Sequence, residues 1–170
     1  INSILDNIDD LLVILSSDRK IMLHNKEADR VYRSISNASF HLGDDFLQCL
    51  IPERKKIVAE ILDQLREDKK PYKTFAEYKT TTGGKLFLDL NYIPVLDDGG
   101  KISYIHLIGM DVTPQKIFEQ KMTSLVGEVT NLIDNVNVII ASTDSRGYIT
   151  QWNNRCAELF GYEKNEVFGR

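Results

Sequence analysis

The stretch GMDVTPQKIFEQKM, residues 109–122, decides the fold. It closes an apolar, strand-like run, KISYIHLIGMDV (101–112), and turns at once into a helix. Thr113 is the expected N-cap, its hydroxyl accepting a backbone N–H of the first turn. Pro114 then stands at the first helical position, where a missing N–H is not needed. A sheet passes into a helix with no loop between them.

Two more strands precede this one, YKTFAEYKTT (72–81) and KLFLDLNYIPV (85–95). Gly83-Gly84 and Asp97-Asp98-Gly99-Gly100 separate the three as hairpin turns. Leu86, Leu88 and Leu90 alternate with Lys85, Phe87 and Asp89, which puts the leucines on a core face. The third strand is apolar at both parities, so either of its faces can be the inner one. Near the start, after a short helical lead, LLVILSS (11–17) and IMLHN (21–25) flank a DRK turn and read as a hairpin. KEADRVYRSI (26–35) carries Ala28, Val31, Tyr32 and Ile35 on one helical face. Pro52 opens a stronger helix, PERKKIVAEILDQLRED, with Ile57, Val58, Ile61, Leu62 and Leu65 as its apolar stripe. Two strands, short helices and three hairpin-linked strands give an α+β domain: a five-stranded antiparallel sheet with helices on one face, followed by a long connecting helix.

In that connecting helix Phe118, Met122, Leu125, Val129, Leu132 and Val136 follow the alternating four-and-three spacing of a heptad seam. Val126 and Ile133 widen it. A helix this short is marginal without a partner. The stripe either pairs with a second copy, giving a homodimer, or packs back on its own domain.

The chain then starts over. Asp6-Asn7 recurs as Asp134-Asn135 and Asn25 recurs as Asn153, both 128 positions on. Between each pair lie an apolar strand and a turn, and a helix follows, KEADRVY in one copy and NRCAELFGY in the other. The second copy lacks the sheet half of the first. Its strands are therefore expected to be disordered, to pair with another chain or to dock on the first domain.

The bulk composition is that of an ordinary globular chain, 42% hydrophobic and 27% charged, with net charge −4. Arg54-Lys55-Lys56 and Lys69-Lys70 sit beside Glu53, Glu67 and Asp68 and read as solvated surface, not a nucleic-acid patch. The longest apolar run, LLVIL (11–15), is too short to span a membrane. Cys49 and Cys156 form no CxxC pair, which argues against a disulfide framework or a zinc site and fits the cytoplasm. The chain reads as a piece of a longer protein, whose membrane anchor or output domain would lie outside it. No H-E-x-x-H, G-x-S-x-G or phosphate-cradling glycine loop occurs, and no catalytic or metal site is expected.

The hairpin ending at Asn153, the following NRCAELFGYEKNEVFGR, and the Asp111-x-Thr113 junction resemble PAS domains. The resemblance covers essentially the whole chain. It implies a complete PAS domain at 1–113, an amphipathic connecting helix at 114–136 and the beginning of a second PAS domain at 137–170, as in the tandem sensor region of a prokaryotic signalling protein. It implies signal reception and relay, through Asp111, Thr113 and Pro114, to a downstream output such as a histidine kinase or diguanylate cyclase. A small organic ligand would sit between sheet and helices, near Phe40, Phe46, Tyr78, Leu88 and Leu90; an ordinary filled core would look the same, and a ligand-free dimerisation scaffold is the other reading. Haem would need an axial histidine, for which His106 is the candidate over His24 and His41. Flavin finds no Asn-Cys-Arg motif in the first copy, and Trp152 reads as a core aromatic. No cofactor is the expectation.

Overall fold

The structure, a computed structural model, describes residue 5 and residues 7–170. Asp6 of the repeated pair and most of the expected helical lead lie outside the described residues. The chain forms β1 (Leu11–Ser16), β2 (Ile21–His24), α1 (Lys26–Ser36), α2 (Phe46–Cys49), α3 (Pro52–Asp68), β3 (Tyr72–Lys79), β4 (Lys85–Leu96), β5 (Ile102–Asp111), α4 (Thr113–Asn135), β6 (Ala141–Thr143), β7 (Ile149–Trp152), α5 (Asn154–Phe160) and α6 (Lys164–Val167). It divides into two compact units, 1–116 and 117–170.

In the first unit five strands make one antiparallel sheet in the order β2-β1-β5-β4-β3. The first and last strands of the unit, β1 and β5, lie side by side at its centre. The core forms where one face of this sheet meets the helices. Leu11, Val13 and Leu15 of β1, Leu86, Leu88, Leu90 and Tyr92 of β4, and Ile105 and Leu107 of β5 point into it. This settles the parity of β5: Ile105 and Leu107 are buried, Tyr104 and Met110 exposed. Gly109 continues the inner face. A Cβ there would come within 2.8 Å of Leu90 Cδ2 and 3.3 Å of Leu11 Cδ2, so a hydrogen side chain lets the two leucines meet over β5.

The helices are bounded by local chemistry. Asn25 caps α1, and Asn37, in the left-handed region at φ 57°, ends it by donating its N–H to Arg33 C=O. Asp45 caps α2 by accepting the Leu47 N–H at 2.9 Å. Pro52 opens α3, whose stripe is narrower than its sequence suggests: Val58, Ile61, Leu62 and Leu65 are buried, while Ile57 is exposed because it lies on the helix flank.

Asn25 does more than cap. Its side chain is 1% exposed. Its Oδ1 accepts the N–H groups of Leu12 (3.0 Å) and Ala28 (2.9 Å). Its amide donates to the carbonyls of Asp10 (2.8 Å), Leu5 (3.3 Å) and Ile8 (3.4 Å). One side chain thus joins the lead-in segment, the start of β1 and the first turn of α1.

In the second unit Asn153 repeats four of these five hydrogen bonds, each partner 128 positions on. Its Oδ1 accepts from Ile140 (3.1 Å) and Cys156 (3.2 Å), and its amide donates to Val138 (2.8 Å) and Ile133 (3.0 Å). Ile133 lies in the last turn of α4. Within the unit, β6 and β7 pair with each other, and Ile149 exchanges backbone hydrogen bonds with Gly169 and Arg170. The core is incomplete: among the described residues of this unit only Asn153 and Cys156 are buried. Val31 of the first unit is 3% exposed, but its counterpart Leu159 is 58% exposed.

Asn25→Ala strands several backbone groups in a buried position, each worth about 1–3 kcal/mol when left unpaired. A stability loss of at least about 3 kcal/mol is expected from the urea midpoint. Asn25→Asp keeps the acceptors, loses the donors and should be nearly as damaging. A change within about 0.5 kcal/mol for Asn25→Ala would show that the amide is replaceable by water.

Candidate functional site

A cavity of about 50 Å³ lies inside the first unit between the sheet and the helices. Its floor is Leu11 of β1, Tyr78 of β3, Leu88, Leu90 and Tyr92 of β4 and Leu107 of β5. Its roof is Val31, Tyr32 and Ile35 of α1, Phe40, Phe46 of α2, and Leu50 and Ile51. The structure brings Phe40, Phe46, Tyr78, Leu88 and Leu90 together around this one space. Tyr32 stacks on Phe40 at 4.1 Å between ring centroids, and Phe40 meets Phe46 at 6.2 Å, so the roof is an aromatic layer.

The walls are apolar apart from the hydroxyls of Tyr32, Tyr78 and Tyr92. Tyr92 is 1% exposed, and burial pushes its hydroxyl far above the ordinary phenol range, with Tyr78 adding to the effect. Burial also raises Tyr78, and Arg54 opposes that rise. Arg54 Cζ sits 5.5 Å from the centroid of the Tyr78 ring, a cation–π contact. Its Nε and Nη2 are buried, and among the described residues neither has a hydrogen-bond partner. The basic run Arg54-Lys55-Lys56 is thus not uniformly solvated: its first member turns inward. Tyr92 shares the parity of Leu86, Leu88 and Leu90 and was legible on that ground. Nothing in the sequence singles out Arg54.

Where β5 passes into α4, the junction is tied down by hydrogen bonds. Asp111 Oδ1 accepts the Thr113 N–H at 2.9 Å. Thr113 Oγ1 accepts the Phe87 N–H of β4 at 2.9 Å, and Val112 N–H donates to Phe87 C=O at 2.9 Å. The helix starts one residue earlier than its sequence suggests. Lys116 N–H donates to Val112 C=O, so Val112 holds the cap position, Thr113 the first helical position and Pro114 the second. The threonine hydroxyl reaches across to the sheet.

Along α4 and one residue past its end, the seam residues Phe118, Met122, Leu125, Val129, Leu132 and Val136 are 39–72% exposed, and no residue of the helix is buried. None of the three histidines lines the cavity. His106 has the outer parity of β5, between Ile105 and Leu107, so the haem reading has no ligand there. Trp152 is held by its indole N–H donating to Tyr162 C=O at 2.9 Å and by Phe160 at 5.5 Å, a structural position rather than a flavin neighbour. A larger hollow, about 460 Å³, opens on the other face of the sheet near Lys73, Phe75, Asn91 and Met110. It is a surface groove, not an enclosed site. Among the described residues no cluster of three metal-ligating side chains occurs, and no helix is long and apolar enough to cross a membrane.

The family described as the PAS fold matches residues 5–117, more than half the chain. The chain belongs to the PAS family. A second family description, PAS domain, matches residues 129–170. PAS domains are sensory modules, and this chain is a PAS sensory region. Phytochrome 1 of Physcomitrium patens is 31% identical over 93 residues, covering 53% of this chain and 8% of that protein. Phytochrome 2 of Ceratodon purpureus is 25% identical over 166 residues, covering 92% of this chain and 15% of that protein. The chain therefore spans a small part of the relatives it matches. The PAS domain of BvgS from Bordetella pertussis superposes with a TM-score of 0.56 at 15% identity, over 75% of this chain and 94% of that one. A PAS domain from Colwellia psychrerythraea gives 0.53 at 13% identity, over 66% and 93%. A sensory box sensor histidine kinase from Vibrio cholerae gives 0.50 at 22% identity, over 65% and 87%. These likenesses establish the fold.

The buried tyrosines set a pH limit. Unfolded tyrosine loses its proton near pH 10. Tyr92 and Tyr78 keep theirs in the folded chain, so their contribution is intact below about pH 10 and is lost as pH rises above it. Denaturant midpoints measured from pH 8 to 11 should be level and then fall. Tyr92→Phe should flatten most of that fall.

Proposed function

We propose that the first unit receives a small-molecule signal in its internal cavity and relays it through α4 to a downstream output such as a histidine kinase or diguanylate cyclase. The tie between Phe87 and Thr113 is the observation that carries this reading. Leu88 and Leu90 line the cavity; Phe87, on the same strand, holds the first turn of α4 through both its N–H and its C=O. A ligand that displaces the cavity floor moves β4, and no flexible linker absorbs the movement before α4. The element is a candidate two-state coupling, with Asp111, Thr113 and Pro114 as its relay residues. The exposed seam from Phe118 to Val136 favours a homodimer as the acting form, with two α4 helices side by side. It equally serves a second reading, a PAS dimerisation scaffold with no ligand. Free Cys49 and Cys156 suit a reducing, cytoplasmic setting.

Native mass spectrometry beside the denatured mass separates the two readings. Extra mass on each subunit is the expected result; a dimer without it supports the scaffold. The relay is tested by Thr113→Val, which leaves the Phe87 N–H without its acceptor and should lower stability by about 1 kcal/mol. Hydrogen exchange of 117–135 should differ between protein as purified and protein refolded free of ligand, and Thr113→Val should erase that difference. An unchanged difference in the variant refutes the relay. Leu125→Asp places a charge in the middle of the seam, and sedimentation should then report a monomer. A persistent dimer would move the interface elsewhere.

A further inference from the structure

On the reading of the cavity as a ligand site, we propose that Gly109 sets the size of molecule it accepts, by letting Leu11 and Leu90 lie low against β5 and leave the space above them open. Glycine weakens a strand interior, and its presence there often marks a close approach. Gly109 stands within β5 without a positive φ, so its backbone shape does not call for glycine. The crowding over its Cα does. Leu11 of β1 and Leu90 of β4 are its direct cross-strand partners, one on each side. All three residues are buried, and both leucines line the cavity. A Cβ at position 109 would meet Leu90 Cδ2 at 2.8 Å, Leu11 Cδ2 at 3.3 Å and Leu11 Cβ at 3.5 Å. The first approach is too close to persist, and the tip of Leu90, as the flexible end, is the part that moves. The backbone of β5 blocks the way into the sheet, so the tip moves toward the helices and into the cavity. At about 10–15 Å³ for one water-sized volume, 50 Å³ holds about three to five of them, so a single displaced methyl group takes a large share. Among the described residues no charged side chain lines the cavity, and its polar groups are tyrosine hydroxyls. What it admits is a small uncharged molecule, and Gly109 fixes how small. Gly109 does not line the cavity; it is a positioning residue that acts through the two leucines.

Xenon and benzene are the probes, titrated into the whole chain and followed by the methyl NMR signals of the cavity walls. A dry cavity of roughly 150 Å³ takes benzene. The wild type has about a third of that space and should bind xenon but not benzene. Gly109→Ala should weaken xenon binding at least about tenfold. Leu90→Ala removes most of a side chain beside an existing space and should admit benzene as well. Gly109→Ala added to Leu90→Ala should keep xenon and weaken benzene at least about tenfold. That recovery of xenon binding separates a change of cavity size from a general loss of packing. The double variant also serves if Gly109→Ala alone does not fold, because it lacks the leucine tip that the new methyl group strikes. Xenon affinity unchanged in Gly109→Ala, or benzene affinity equal in Leu90→Ala and the double variant, overturns the role of Gly109 and leaves the cavity a ligand site. No xenon binding by the wild type, with no extra native mass, overturns both.

Discussion

A buried primary amide holds each unit of this chain together at its first crossing point. An asparagine side chain can accept and donate at once, so a single residue can satisfy backbone groups of opposite polarity from different segments. Asn25 and Asn153 use that capacity in the same way, at equivalent partners, in two stretches of otherwise different sequence. Neither a carboxylate nor an aliphatic side chain can do so, which explains why this polar residue occupies a position whose surroundings are mostly apolar. The clamp fixes where the lead-in segment meets the hairpin and where the next helix starts. With the hairpin anchored, β1 is placed to accept β5 along its free edge, and the central pair of the sheet follows.

Junction chemistry where β5 passes into α4 has the same character. β4 carries core leucines on one face and Phe87 on the other, where it stacks with Phe75 at 5.9 Å. Lys116, in the first turn of α4, lies over the Phe75 ring at 5.9 Å from its centroid. The helix start is thus held by backbone pairing, a threonine hydroxyl and an aromatic pair together. On the proposed reading, this is why a small change in the cavity floor would be transmitted instead of dissipated.

The sheet, its hairpins and the helix boundaries were legible because each rests on local signals: alternating leucines, Gly-rich turns, a proline at α3 and an asparagine before α1 and α5. The inner parity of β5 was not legible, since Ile, Leu and Met occupy both faces and only packing against Leu11 and Leu90 distinguishes them. The cap of α4 was misplaced by one residue. A threonine hydroxyl serves a neighbouring strand as readily as its own helix, and sequence alone does not show which donor is nearer. The cavity's apolar wall was readable from strand parity and nearby aromatics. Arg54 was not, because a cation among Glu53, Lys55 and Lys56 has the pattern of solvated surface, and its inward turn depends on a tyrosine far away in sequence.

α4 brings these two kinds of tie into one element. Its first turn is bonded to Phe87, and its last turn gives the Ile133 carbonyl to Asn153. Between those ends it has no buried residue, and it contains Gly127, which costs about 1 kcal/mol relative to alanine. Helices of this length derive most of their stability from a covered apolar face. This one carries an apolar stripe that is exposed along its length, so its ends are specified far more strongly than its middle. A second copy covering the stripe would supply the missing stabilisation in the stretch where the chain itself supplies least. Pairing and signal would then act on the same twenty-odd residues, each altering the balance that the other finds.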